Sequence, residues 1–329
     1  MKRRNLMLLF GSAAVAWPLA ARAQQPGPMR RIGVLMPFAQ DDPVGRAFVV
    51  ALQQGLEKLG WTIGRNLRIE YRFGVDNAQK AQAATEDLLA MSPDVILVNT
   101  SRSLATLQHA TRTLPIVFAM IYEPVAQGFV QSLAHPGANI TGFTMPEATM
   151  GAKWLELLKE IAPRVTRVAY LSNPDNFGPT QYLRSVESAG PNFAVQVAAA
   201  PVHGPAEIEA TMATIARAPG GGLIVPPDGF LANYSNLIIE LAARYRLPAI
   251  YGIRDFATGG GLVSYGINPD DQIRQAAGYI DRILRGEKPS ELPVQQPTKF
   301  ELVINLKTAR ALGVTIPPLL LGSADEVIE

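Results

Sequence analysis

The chain has 329 residues, 48% of them hydrophobic and 18% charged. At roughly 150 residues per domain this leaves room for two units with a sizeable core, and it excludes a disordered chain. The absence of cysteine excludes disulfides, thiolate metal sites, cysteine nucleophiles and the lipid attachment of a bacterial lipoprotein.

The first segment reads as an export signal. Lys2, Arg3 and Arg4 form a basic start, Leu6 to Trp17 a short apolar run, and Pro18 breaks it before Ala21-Arg22-Ala23. Cleavage after Ala23 is expected, by the general secretory route or, given Arg3-Arg4, the twin-arginine route. Removing residues 1–23 takes away Lys2, Arg3, Arg4 and Arg22 and no acid, leaving 26 cationic against 28 acidic side chains. The net +2 of the whole chain becomes −2, so there is no electrostatic case for a nucleic-acid partner. No other stretch is apolar enough to span a bilayer, and a soluble periplasmic protein is expected.

After a Pro/Gly-containing leader, Arg31 to Met36 reads as a buried parallel strand ended by Pro37, and Val44 to Leu59 as a helix closed by Gly60. Strands are expected at Leu67–Phe73, Asp94–Val98, Ile116–Ala119 and Ile140–Phe143, with helices at Ala78–Met91, from Asn99-Thr100-Ser101 to Thr111, and at Val125–Leu133. The rhythm then restarts. Helices at Gly151–Ile161, Thr180–Ala189, Pro205–Ala216 and Ser235–Tyr245 alternate with strands at Val168–Leu171, Phe193–Ala199 and Gly222–Val225. Leu247-Pro248-Ala249-Ile250-Tyr251 echoes Leu114-Pro115-Ile116-Val117-Phe118, and Leu262 to Gly266 echoes Ile140 to Phe143. A long helix at Asp270–Arg285, a strand at Lys299–Asn305 and a helix at Leu306–Leu312 complete the plan. Strands alternating with helices imply right-handed βαβ crossovers, here one α/β unit used twice with a cleft between the copies.

Signatures of catalysis are missing. There is no Gly-x-Ser-x-Gly elbow and no phosphate-binding loop, and His109, His135 and His203 are scattered without metal-ligand spacing. Gly259-Gly260-Gly261 precedes a strand and so lacks the context of a dinucleotide fingerprint. No cofactor and no metal are expected.

Binding signatures are present. Ligands of open parallel sheets sit beyond the carboxyl ends of the strands. Those ends carry Phe38, Gln40 and Asp41 after the first strand, Asn99, Thr100 and Ser101 after the third, and Tyr122 and Glu123 after the fourth. In the second half Asn173 and Asp228 follow strands, Tyr251, Arg254 and Asp255 lie in the crossover, and Ser264 and Tyr265 lie nearby. A hydroxyl-rich strand end feeding a helix can hold a carboxylate with free amides or simply cap the helix, and one residue can do both. The aromatic residues Phe38, Tyr122, Phe230, Tyr251 and Tyr265 could stack on a planar ligand or belong to core and rim. Arg254 and Asp255 could grip a zwitterion or form an internal or interlobe ion pair.

Several segments carry a resemblance. They are the signal ending Trp17 to Gln24, the start Arg31-Ile32-Gly33-Val34-Leu35, Pro93-Asp94-Val95-Ile96, Asn173-Pro174, Gly260 to Gly266 and Leu302 to Ala309. Together the chain resembles the solute-binding proteins of ABC importers with the type I periplasmic-binding fold, in the group with tryptophan-binding-type members. The resemblance implies two Rossmann-like lobes with parallel sheets flanked by helices, joined by three crossing segments. It implies one lobe at 30–145 plus 255–285 and another at 146–254 plus 286–329. It further implies ligand contacts at Asn99 to Ser101, Tyr122, Asn173, Asp228 and Tyr251 to Asp255, with hinge closure. The expected partners are a small organic solute, such as an amino acid or aromatic acid, and membrane permease and ATPase subunits, the chain itself being monomeric. A ligand sensor for a membrane receptor and an exported enzyme are the other readings; an intracellular repressor is opposed by the signal and by the lack of a helix-turn-helix.

Overall fold

The computed structural model describes residues 29–329. The expected export signal at residues 1–23 therefore lies outside the described residues, as does most of the leader that follows it. The first sheet is built from β1 (Arg30–Leu35), β2 (Leu67–Arg72), β3 (Val95–Val98), β4 (Ile116–Ile121) and β5 (Ile140–Thr144). Its strands run in the order β2-β1-β3-β4-β5, and every pair is parallel. Helices α1 (Pro43–Lys58), α2 (Ala78–Ala90) and α3 (Ser101–Ala110) link them.

The apolar runs of these strands supply both faces of the sheet because successive side chains alternate. Ile32, Val34, Val95, Leu97 and Val117 pack with Phe48, Leu52 and Leu56 of α1. Leu35, Ile96, Val98, Ile116 and Phe118 pack on the other face with Leu88, Leu104 and Leu107. All of these side chains are buried, each contributing about 1.5–3 kcal/mol relative to exposure.

The second sheet contains β6 (Arg167–Ser172), β7 (Gln196–Pro201), β8 (Gly221–Val225), β9 (Ala249–Tyr251), β10 (Val263–Gly266), β11 (Glu301–Asn305) and β12 (Glu326–Ile328). Their order is β12-β11-β10-β9-β8-β6-β7, with β10 and β11 antiparallel and the remaining pairs parallel. In chain order its helices are α4 (Met150–Ile161), α5 (Phe177–Ala189), α6 (Pro205–Ala216), α7 (Gly229–Asn233), α8 (Ser235–Arg244) and α9 (Arg254–Thr258), then, after the intervening α10 (Pro269–Leu284), α11 (Leu306–Leu312) and α12 (Pro318–Ser323). One face of the sheet packs Val168, Tyr170, Ile224, Ile250 and Val263 on Trp154, Leu158, Tyr182 and Val186. The other face packs Leu171, Leu223, Val225 and Tyr251 on Ile208, Met212, Ile238 and Phe256. The whole is an α/β protein of two parallel-dominated sheets flanked by helices, as expected.

The chain passes between the sheets three times, at residues 145–149, 267–268 and 296–300. The crossings are knitted together. Gln296 Nε2 donates to Glu147 Oε1 at 2.8 Å between two of them, and beside them Gln272 Nε2 donates to the Thr144 carbonyl at 2.7 Å and Phe143 and Gln295 form a β-bridge.

Pairing departs from the expected lobe assignment in two segments. Residues 255–266 were expected with the first lobe, yet β10 hydrogen-bonds to β9 and β11, and Phe256 lies in the second core. Helix α10 does join the first unit, its Ile273, Ala277 and Ile280 packing on α1. Residues 286–295, expected with the second lobe, follow α10. Thr141 Oγ1 donates to the Leu292 carbonyl at 2.6 Å, and Val294 N to the Leu133 carbonyl at 2.7 Å. The reason is backbone accounting: the edge of β5 needs partners, and this stretch supplies them. Residues 125–133, expected as a helix, form a succession of turns instead.

Candidate functional site

The carboxyl ends of the two sheets meet. The direct link is Tyr122, just beyond β4, whose hydroxyl donates to the Pro227 carbonyl beyond β8 at 2.7 Å. The groups around this contact form the candidate site.

On the first wall, β3 ends at Val98 and α3 starts at Ser101. Thr100 is the N-cap, in extended backbone, and its Oγ1 accepts from Ser103 N at 3.2 Å. That one bond leaves the first-turn amides of Ser101 and Arg102 outside the helix ladder, at the positive end of its dipole. Capping therefore falls to Thr100 alone. Asn99 and Ser101 do other things: Asn99 Oδ1 is enclosed with no hydrogen-bond partner, and Ser101 Oγ accepts from Gln127 Nε2 at 3.1 Å. Phe38 is half-buried against the first core, while Gln40 and Asp41 are exposed at the end of β1.

Tyr122 is delivered by a distorted strand end. The register of β4 shifts between Ala119 and Ile121, and both Met120 and Glu123 have positive φ, 60° and 38°. Such backbone in a residue other than glycine costs about 1–3 kcal/mol and marks places where a side chain is being aimed. Gln127 Nε2 also donates to the Tyr122 carbonyl, which fixes the bend. Burial pushes the Tyr122 phenol far above its ordinary range, and the nearby Tyr182, Asp228 and Tyr170 add to this, so it stays a protonated donor. Glu123 is exposed.

The second wall centres on Asp228, 4% exposed. It caps α7 and accepts from Phe230 N at 2.8 Å, Asn176 Nδ2 at 2.7 Å and Asn173 N at 3.2 Å. Burial raises its pKa above the usual carboxylate value, against the lowering effect of these donors. Asn173 Oδ1 in turn accepts from Asp175 N at 2.9 Å, tightening the turn after β6. Behind it stand Tyr170, donating to the Pro179 carbonyl at 2.6 Å, and Tyr182, donating to the Pro146 carbonyl at 2.9 Å. Trp154 meets Tyr182 edge to face at 4.9 Å.

The structure thus brings Asn99, Thr100, Ser101, Tyr122, Asn173 and Asp228 to facing strand ends. It takes others elsewhere, which corrects the sequence reading. Tyr251 is fully buried and stacked on Phe256 at 4.7 Å, because alternation along β9 turns it to the sheet face that packs on Ile208, Met212, Ile238 and Phe256. Arg254 forms ion pairs with Glu301, at 3.5 Å, and with Glu326. Asp255 is exposed in the first turn of α9. Of the two readings offered for this pair, the internal ion pair holds for Arg254, with partners other than Asp255. Ser264 is buried, and Tyr265 stacks on Phe300 at 5.7 Å.

Sequence reasoning missed Gln127, Asn176, Gly178, Pro227 and Tyr182. Asn176 precedes a helix and was open to recognition as a turn donor. Gln127 was hidden because its segment was read as helix. Among the described residues no group of three or more His, Asp or Glu side chains could hold a metal ion, and the three histidines are exposed.

The two-sheet fold has counterparts. A domain from Streptococcus pneumonia, solved in complex with L-Trp, superposes with a TM-score of 0.82 at 24% identity, covering 91% of this chain and 100% of that one. A conserved domain protein from Vibrio cholerae superposes with the same score at 25% identity over 91% of this chain and 99% of its own. A protein of Clostridioides difficile described as tyrosine-binding is 22% identical over 273 residues, 83% of this chain and 77% of that protein. The fold is that of type I periplasmic binding proteins. With the family model matching residues 32–328, nearly everything the structure describes, the chain belongs to the ABC transporter substrate binding protein family.

Proposed function

We propose that this protein captures a small organic solute carrying a carboxylate, such as an amino acid or aromatic acid, between its two lobes. It would deliver that solute to a membrane permease and ATPase. The observation that supports this most is the asymmetry of the facing walls. Free first-turn amides and an unpartnered Asn99 Oδ1 stand on one side, and the buried Asp228 corner with its aromatic surround on the other. A carboxylate suits the amides of Ser101 and Arg102 together with the Ser101 hydroxyl, which accepts from Gln127 Nε2 and keeps its own proton to donate. A ligand N–H suits Asn99 Oδ1, which otherwise remains desolvated without compensation. The Trp-bound and tyrosine-binding relatives support an amino acid or a close analogue as the guest.

In this reading the work is a shift of population and no bond is broken. Ligand touching both walls favours the closed arrangement by its differential affinity. The reading places the mature protein in the periplasm as a monomer after cleavage near Ala23. Among the described residues no helix is long and apolar enough to cross a membrane. A thermal-shift screen of amino acids and aromatic acids tests it, because a ligand of the folded state raises apparent stability. A hit that Ser101→Ala weakens supports the site, and a hit that Asn99→Ala and Ser101→Ala leave unchanged removes it.

A further inference from the structure

We propose that Tyr122 is a strut that holds the two lobes together before any ligand arrives. Three observations carry it. First, the hydroxyl of Tyr122 is spent on the protein itself, on the Pro227 carbonyl across the cleft at 2.7 Å. Second, its ring lies on the bare backbone of Gly178 in the first turn of α5. A Cβ at Gly178 would stand 2.1 Å from a ring carbon of Tyr122. Gly178 does not have the positive φ that would demand glycine, and glycine weakens a helix relative to alanine, so the ring explains its place. Third, the strut is braced at its base. Met120 and Glu123 flank it with positive φ, and Gln127 Nε2 bonds both the Tyr122 carbonyl and Ser101 Oγ.

These contacts join the end of the first sheet to the end of the second through side-chain chemistry, independently of the three backbone crossings. Part of the closed arrangement is then supplied by the chain, and a ligand adds the rest. The Gln127 bridge also ties the strut to the first-wall hydroxyl at Ser101. Closure and the readiness of that donor are coupled through one amide group.

The test needs no ligand, so its outcome is separate from that of the binding reading. Small-angle X-ray scattering of the ligand-free protein would compare wild type with Gly178→Ala, Tyr122→Ala and Tyr122→Phe, with circular dichroism checking the fold of each. The radius of gyration should rise in Gly178→Ala and Tyr122→Ala. Tyr122→Phe keeps the ring and loses one neutral hydrogen bond, so its closed-to-open ratio should fall roughly threefold to tenfold. Should Gly178→Ala disturb folding, Tyr122→Ala decides. A Tyr122→Ala profile that superimposes on wild type, or a wild-type profile already as extended as that variant, overturns the proposal.

Discussion

The two walls of the cleft are built from the same kind of strand end, yet they are finished differently. At the first wall the Asn99-Thr100-Ser101 turn leaves an acceptor without a partner and two amides beyond the helix ladder. At the second wall Asp228 is equally enclosed, but three N–H donors from one loop and a helix start already occupy it. In the proposed reading the unfinished wall gains from a guest, whereas the finished wall holds shape. Binding energy and structural stability should therefore separate along this line, and mutation can show whether they do.

The largest effect is expected at the finished wall. Asp228→Ala removes a helix cap and strands three donors, so a loss of about 2–4 kcal/mol in unfolding free energy is expected by urea titration. A loss below about 0.5 kcal/mol would make that wall as dispensable as an ordinary surface position. At the unfinished wall the balance reverses. Asn99→Ala combined with Ser101→Ala should leave the unfolding free energy within about 0.5 kcal/mol of wild type and weaken ligand binding roughly tenfold or more by calorimetry.

Acidity sharpens the same contrast. Burial raises the Asp228 pKa above its unfolded reference of 3.8, so the folded state binds its proton more tightly. Its contribution is fully present below that reference and is lost as pH rises through the folded value. The stability difference between wild type and Asp228→Asn should therefore change with pH across that acidic window and level off above it. A difference flat throughout the window would show that the donors cancel burial, and a change of the opposite sign that they outweigh it. The smallest effect is expected at Arg254, whose partners are the partly exposed Glu301 and Glu326 pair. Arg254→Ala should cost no more than about 1 kcal/mol, with ligand affinity unchanged.

The architecture was legible because buried parallel strands announce themselves as short apolar runs, such as Val95 to Val98, closed by turn residues. The echo between Leu114-Pro115 and Leu247-Pro248 pointed correctly to a plan used twice. Lobe membership at 255–266 was less legible. Which sheet β10 joins is decided by long-range pairing with β9 and β11, to which local pattern is blind. Much the same holds for the site. Strand-end position led to Asn99, Ser101 and Asp228, but the face of Tyr251 depended on the register of a three-residue strand. Tyr182 and Gly178 matter through contacts with Tyr122, which comes from the other sheet, and no local signal carries that.

The central claim, that a carboxylate-bearing solute is held between the walls, is tested most directly by calorimetric titration of the protein with individual amino acids, tyrosine and tryptophan first. The account predicts saturable binding at one site, lost or strongly weakened when Asn99 and Ser101 are both replaced by alanine. Binding that the double replacement leaves intact, or the failure of every amino acid and aromatic acid to bind, would contradict it.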